Sequence, residues 1–146
     1  MSFWRKSARK RLVNKIVLDS AAVLAMIQNE AGGEQVEALL DSIEADAQVR
    51  VSICWVNWCE VLTRGQRDFR SMTGRDLTAA LAGVEIVPFD GHLAELAAQY
   101  ALVSRTLSLG DRACLALAKS WGATAWTADR IWAQCSLDVP VQLIRL

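Results

Sequence analysis

The chain has a single histidine, His92, among 146 residues. Serine–histidine–acid and cysteine–histidine catalysis both need an imidazole held in place. His92 lies between Gly91 and Leu93 at an expected helix start, which gives it a surface or capping role. Paired cysteines at metal or redox spacing are missing too. Cys54, Cys59, Cys114 and Cys135 form no CxxC and stand among apolar neighbours, which predicts buried thiols in a reducing compartment. No uninterrupted apolar run is long enough to cross a bilayer. The apolar stretch after the basic start is cut by Asp19, so no signal peptide is expected. The reading is a cytoplasmic protein with no membrane contact.

Acids are absent from the first 18 residues, which carry Arg5, Lys6, Arg9, Lys10, Arg11 and Lys15. The remainder holds 10 basic residues against all 16 acidic ones, although the whole chain has a net charge of zero. So acidic a body does not coat nucleic acid non-specifically, because that affinity comes from many cations at the phosphates. It does leave room for a local acidic site that a cation neutralises. The basic start is either a nucleic-acid arm or a solvated end.

With an apolar fraction of 53%, the chain has ample material for a core, and its length fits one domain. Hydrophobic periodicity gives strands at 15–19, 48–53, 84–89 and 123–127, and a fifth after Pro140 in VQLIRL. Helices are expected over 20–28, 34–45, 55–64, from Thr73 or Gly74 to Gly83, from Asp90 through Tyr100, over 111–121 up to Gly122, and briefly over 129–135. Gly32 and Gly33 read as a helix break, and 66–74 as a turn or broken helix. Strands alternating with helices predict one α/β domain over 15–146, a parallel sheet of about five strands with helices on both faces, preceded by a basic extension over 1–14.

Four acids fall where such a sheet binds ligands, beyond the carboxyl ends of its strands. Asp19 ends the first strand, Asp129 follows the fourth by two residues, and Asp111 opens the helix leading into that strand. Glu60 lies about one and a half turns into the helix after strand two. Taken singly, each has a structural explanation. The three aspartates precede helices and suit N-caps, and Glu60 is spaced i, i+4 from Arg64 as a solvated pair. Taken together they are harder to explain, since gathered carboxylates repel one another unless a cation intervenes. Oxygen donors without histidine suit Mg²⁺, with Mn²⁺ as a substitute, and such a site acts on phosphates.

The segments VLDSAAVLAMIQNE, SICWVNWCEVLTR, LSLGDRACLALAKSWGATAWTADRIW and VQLIRL, in that order, resemble PIN-domain proteins, above all the toxin half of bacterial VapBC-type toxin–antitoxin pairs. The likeness covers residues 16–146. It implies a single-strand-specific, metal-dependent endoribonuclease whose metal-binding and catalytic acids are Asp19, Glu60, Asp111 and Asp129. Ser20 and Thr127 match the family's small hydroxyl positions, and Asn57 matches a polar position one turn before the glutamate, with a local hydrogen bond as the other reading. The resemblance further implies an RNA substrate, a cognate antitoxin that fills the groove, and a homodimer. The basic residues ahead of the first strand depart from the pattern.

Arg112 and Arg130 each follow a proposed ligand, where they either reach RNA phosphates or face solvent. Arg64, Arg67, Arg70 and Arg75 read as a solvated face or an RNA track. Trp55, Trp58, Trp121, Trp126 and Trp132 sit in core-like settings. Two other functions fit parts of the pattern: a non-catalytic PIN scaffold that binds a protein partner, and a receiver-type phosphoacceptor using Asp90.

Overall fold

The structure, a computed structural model, describes residues 13–68 and 73–145. The basic segment 1–12, Arg70 and Leu146 lie outside the described residues. The elements run β1 (Asn14–Leu18), α1 (Ser20–Ile27), α2 (Gly33–Ala45), β2 (Val49–Cys54), α3 (Trp55–Asp68), α4 (Gly74–Ala80), β3 (Glu85–Val87), α5 (Gly91–Tyr100), α6 (Leu109–Trp121), β4 (Thr124–Thr127), a 3₁₀ turn (Arg130–Gln134) and β5 (Val141–Leu143). Among the described residues no helix is long and apolar enough to cross a membrane.

Local chemistry explains where these elements depart from the periodicity. The polar residues 66–68 continue α3, with Arg64 Nε bonding Asp68 Oδ2 at 3.0 Å one turn on. Helix α6 begins at Leu109, earlier than expected, because Ser108 is its cap. Ser108 Oγ accepts from the Asp111 amide at 3.1 Å and Asp111 Oδ2 accepts from the Ser108 amide at 2.9 Å. Asp111 is therefore the third residue of a capping box, not the cap itself. Gly33 starts α2 rather than ending α1, and strands three and five shrink to three residues each.

All five strands are parallel, in the order β3-β2-β1-β4-β5. Buried on both faces, β1 is nearly continuous in apolar residues. Ile16 and Leu18 join Val51 and Ile53 in a core with Val23, Val36, Trp58 and Val61, under α1 to α3. Val17 and Ala125 join a second core with Leu93, Ala97, Leu115 and Trp132, under α5 and α6. This strand order is not the 2-1-3-4-5 of receiver domains. Asp90 is committed as the N-cap of α5, accepting from the Leu93 amide at 2.9 Å. The phosphoacceptor reading thus lacks its topology.

In the order 3-2-1-4-5 the direction of winding reverses between β1 and β4. A crevice opens there at the carboxyl ends of the strands. The α1–α2 turn packs on the segment after β5 at Gly32, whose φ is +88° and where a Cβ would lie 2.2 Å from the Ile144 carbonyl oxygen. Gly32→Ala meets both the left-handed penalty and a backbone clash, and is expected to cost about 3 kcal/mol or more. Urea unfolding measures this; a loss under about 1 kcal/mol would show that the turn and the Ile144 segment are not packed as described.

Candidate metal centre

Each acid is placed by the element that carries it. Asp19 follows β1 directly and is 3% exposed. Its amide still donates to Trp126 O at 3.1 Å, continuing the sheet into the crevice. Its Oδ1 accepts from the Ala22 amide at 2.8 Å as the cap of α1, and its Oδ2 accepts from the Thr127 hydroxyl at the end of β4. Thr127 Oγ1 in turn accepts from the Asp129 amide at 3.0 Å, and Asp129 Oδ1 caps the 3₁₀ turn through the Ile131 amide at 3.0 Å.

Across the crevice, Glu60 Oε1 accepts from Ser20 Oγ and from Asn57 Nδ2, both at 3.1 Å. Asn57, 1% exposed, also donates to the Gly110 carbonyl at 2.9 Å, immediately before Asp111. Glu60 therefore does not form the solvated pair with Arg64, which is bonded to Asp68 instead. Gly110 lacks a side chain where Glu60 needs the space: a Cβ there would lie 2.4 Å from Glu60 Oε1 and 2.7 Å from Oε2.

Asp19 and Asp129 are N-caps and Asp111 closes a capping box, and these roles use one oxygen of each. The remaining oxygens of Asp111 and Asp129 make no hydrogen bond among the described residues. Capping and ligation are thus compatible, because the cap fixes the rotamer of a carboxylate that keeps a free lone-pair face.

Burial raises the Asp19 carboxyl to about 7, despite the Thr127 and Ala22 hydrogen bonds that favour its ion, and the charges of Asp111 and Glu60 raise it further. The charges of Asp111 and Glu60 thus both reach Asp19. Among the described residues, no three acid, histidine or cysteine side chains stand close enough to form a ready-made ligand set. The arrangement is therefore not a closed cage. It fits a hard, hydrated cation such as Mg²⁺, which typically uses one or two carboxylates and keeps several waters. The donors are all oxygens, a buried carboxyl gains from a neighbouring positive charge, and Asn57 Oδ1 is a buried acceptor without a partner.

A family model described as PIN domain matches residues 16–136. The chain belongs to the PIN-domain family. No curated protein matches it. The fold is similar to that of FitAcB from Neisseria gonorrhoeae, at 23% identity and a TM-score of 0.61, covering 88% of this chain and 97% of that one. It is similar to VapBC-1 from nontypeable Haemophilus influenzae, at 16% identity and a TM-score of 0.62, covering 89% and 98%. It is also similar to VapC20 of Mycobacterium tuberculosis, titled a sarcin–ricin loop cleaving toxin, at 18% identity and a TM-score of 0.60, covering 82% and 93%.

Within this PIN domain other expected residues fall differently. Arg112 leans on α5, where its Nη1 donates to Ala97 O at 3.3 Å while its Nε is buried without a hydrogen bond among the described residues. Arg130 is exposed beside Asp129. Trp58 and Trp132 are core residues, as expected, but Trp55 is 49% exposed. Cys54 and Cys114 are buried, Cys135 is partly so, and Cys59 is exposed. Two residues of the site had been read otherwise in the sequence. Gly110 looked like a loop glycine and Arg145 like a strand residue, and only the capping pattern S-L-G-D at 108–111 could have placed the former on a helix.

Proposed function

We propose that the chain is a divalent-metal-dependent endoribonuclease, the toxin of a type II toxin–antitoxin pair acting in the cytoplasm, most effective with Mg²⁺ and tolerant of Mn²⁺. The reading is carried by one observation. Side-chain hydrogen bonds run from Asp129 through Thr127 to Asp19, and from the adjoining Ser20 through Glu60 and Asn57 to the carbonyl beside Asp111, across the switch point of the sheet. Membership of the PIN family and the structural likeness to proteins of toxin–antitoxin pairs support it.

Asp19, Asp111 and Asp129 would hold the cation, with Glu60 reaching it through water. Bound there, the cation supplies charge that polarises a phosphoryl oxygen and acidifies a water. Glu60 is exposed and held from two sides by Ser20 and Asn57, which suits it to orient the attacking water and accept its proton. Addition of that water at phosphorus expels the RNA ester oxygen, which leaves with a proton. Thr127 and the Ala22 amide keep Asp19 from rotating as charge builds, so little reorganisation accompanies the reaction. A cognate antitoxin and a second copy of the chain are the proposed protein partners.

Purified protein is expected to cut single-stranded RNA with Mg²⁺ or Mn²⁺ and to be silent in EDTA, and its expression is expected to arrest growth unless Asp111 is replaced by Ala. Cleavage that persists in EDTA, or arrest undiminished by Asp111→Ala, would overturn the proposal. A protein that binds a partner but cuts no RNA under any metal would be the scaffold alternative.

A further inference from the structure

The two ends of the acid row differ in character. At the Glu60 end a largely apolar cleft is lined by Trp55, Val56, Cys59, Leu109 and Gly110. At the Asp129 end two clefts share Arg130 and Arg145, the first mostly polar and the second of mixed lining. One, of about 570 Å³, is lined by Ala21, Ala128, Asp129, Arg130 and Arg145. The other, of about 450 Å³, shares both arginines and adds Gln35 and Gln142. Together they form a cationic path leading away from Asp129 in a body whose charge is otherwise acidic.

The Arg145 side chain is 31% exposed and already ordered. Its Nε donates to Ala128 O at 3.2 Å, on the residue before Asp129, and its Nη1 donates to Glu30 Oε2 at 2.9 Å. Nη2 makes no bond among the described residues. A guanidinium already held at Nε and Nη1 loses little further entropy when Nη2 takes a phosphate oxygen.

We propose that these paired clefts bind the phosphates of one RNA strand flanking the scissile bond, with Arg145 as the fixed cation and Arg130 as the second. The inference rests on the ribonuclease reading of the acids and adds the direction in which the substrate lies. A phosphodiester next to several carboxylates needs compensating cations close by, and the clefts at the Asp129 end are lined by two, while among the described residues no cation lines the cleft at the Glu60 end.

Arg145 also clamps the backbone before Asp129, so the test must separate phosphate binding from support. A fluorescently labelled 20-nucleotide single-stranded RNA is titrated in EDTA at several KCl concentrations, which reads binding without cleavage. Arg145→Ala and Arg130→Ala are each expected to weaken binding about 5–10-fold and to reduce the slope of log affinity against log salt by about 0.7, the value for one lost phosphate contact on a single strand. Arg145→Lys should retain the slope, and Glu30→Gln should bind at least as tightly as the parent. A weakened Arg145→Ala with an unchanged slope would make Arg145 a support only and overturn the proposal. So would unchanged affinity in both alanine variants of a protein that still cuts RNA, which would leave the clefts to a protein partner. A parent protein that neither binds nor cuts RNA would remove the ribonuclease reading itself, and this inference with it.

Discussion

Asp19→Asn is expected to abolish metal-dependent cleavage and, above neutral pH, to make the metal-free protein more stable than its parent. The loss of activity follows from removing a charge that the cation needs: several kcal/mol of stabilisation corresponds to about a thousandfold or more in rate. The gain in stability follows from burial. The folded carboxyl lies at about 7, above its ordinary 3.8, so the folded state prefers it protonated. The associated stability is complete below pH 3.8 and is lost as pH rises through 7. At pH 9 the parent carries a penalty of up to about 4 kcal/mol that a neutral amide avoids. The local bonds survive, since the amide oxygen accepts from Ala22 and Thr127 rotates to accept from the new NH₂ group. Thermal melts in EDTA should therefore lie closest together near pH 4 and separate progressively up to pH 7 and beyond, with the variant melting higher. Melting curves that stay parallel across this range would show that the Asp19 charge is not held at a cost.

Gly110→Ala is expected to separate activity from stability in a different way. The new methyl would occupy the space of the Glu60 carboxylate, whose oxygens are the flexible end of an exposed side chain and can swing aside. Swinging aside breaks the bonds from Ser20 and Asn57 while the core remains intact. Alanine also suits the first turn of α6 better than glycine, by up to about 1 kcal/mol. Cleavage should fall about 10–100-fold, the usual result of an ångström-scale misplacement of a reacting group, with no loss of melting temperature. Adding Glu60→Gln should then lower the rate by much less than it does alone, because both changes act on the same carboxylate. Full activity in Gly110→Ala would remove Glu60 from the reaction.

The parallel sheet was legible in the sequence because its strands are buried on both faces and its helices end at residues with one conformational reading, such as Gly122 at φ +62°. The four acids were legible for the same reason: strand ends are easy to place, and three of the acids directly follow a strand or open a helix. What lay hidden depends on contacts between distant segments. Spacing on α3 gave Glu60 a partner in Arg64, but the competing donors Ser20 and Asn57 come from the folded crevice and the preceding turn. Trp55 sits in an apolar string, yet β2 passes straight into α3 and leaves its ring half exposed. Arg145 looked like the end of a strand, but β5 stops at Leu143 and the arginine turns to Ala128 and Glu30.

Titrating the metal-free protein with Mn²⁺ in a calorimeter at pH 7.5, alongside Asp19→Asn and Asp129→Asn, tests most directly whether acids from separate segments share one cation. Saturable binding to the parent is expected, with weakening of at least tenfold in each variant. Absence of heat with the parent, or equal binding by all three proteins, would contradict it.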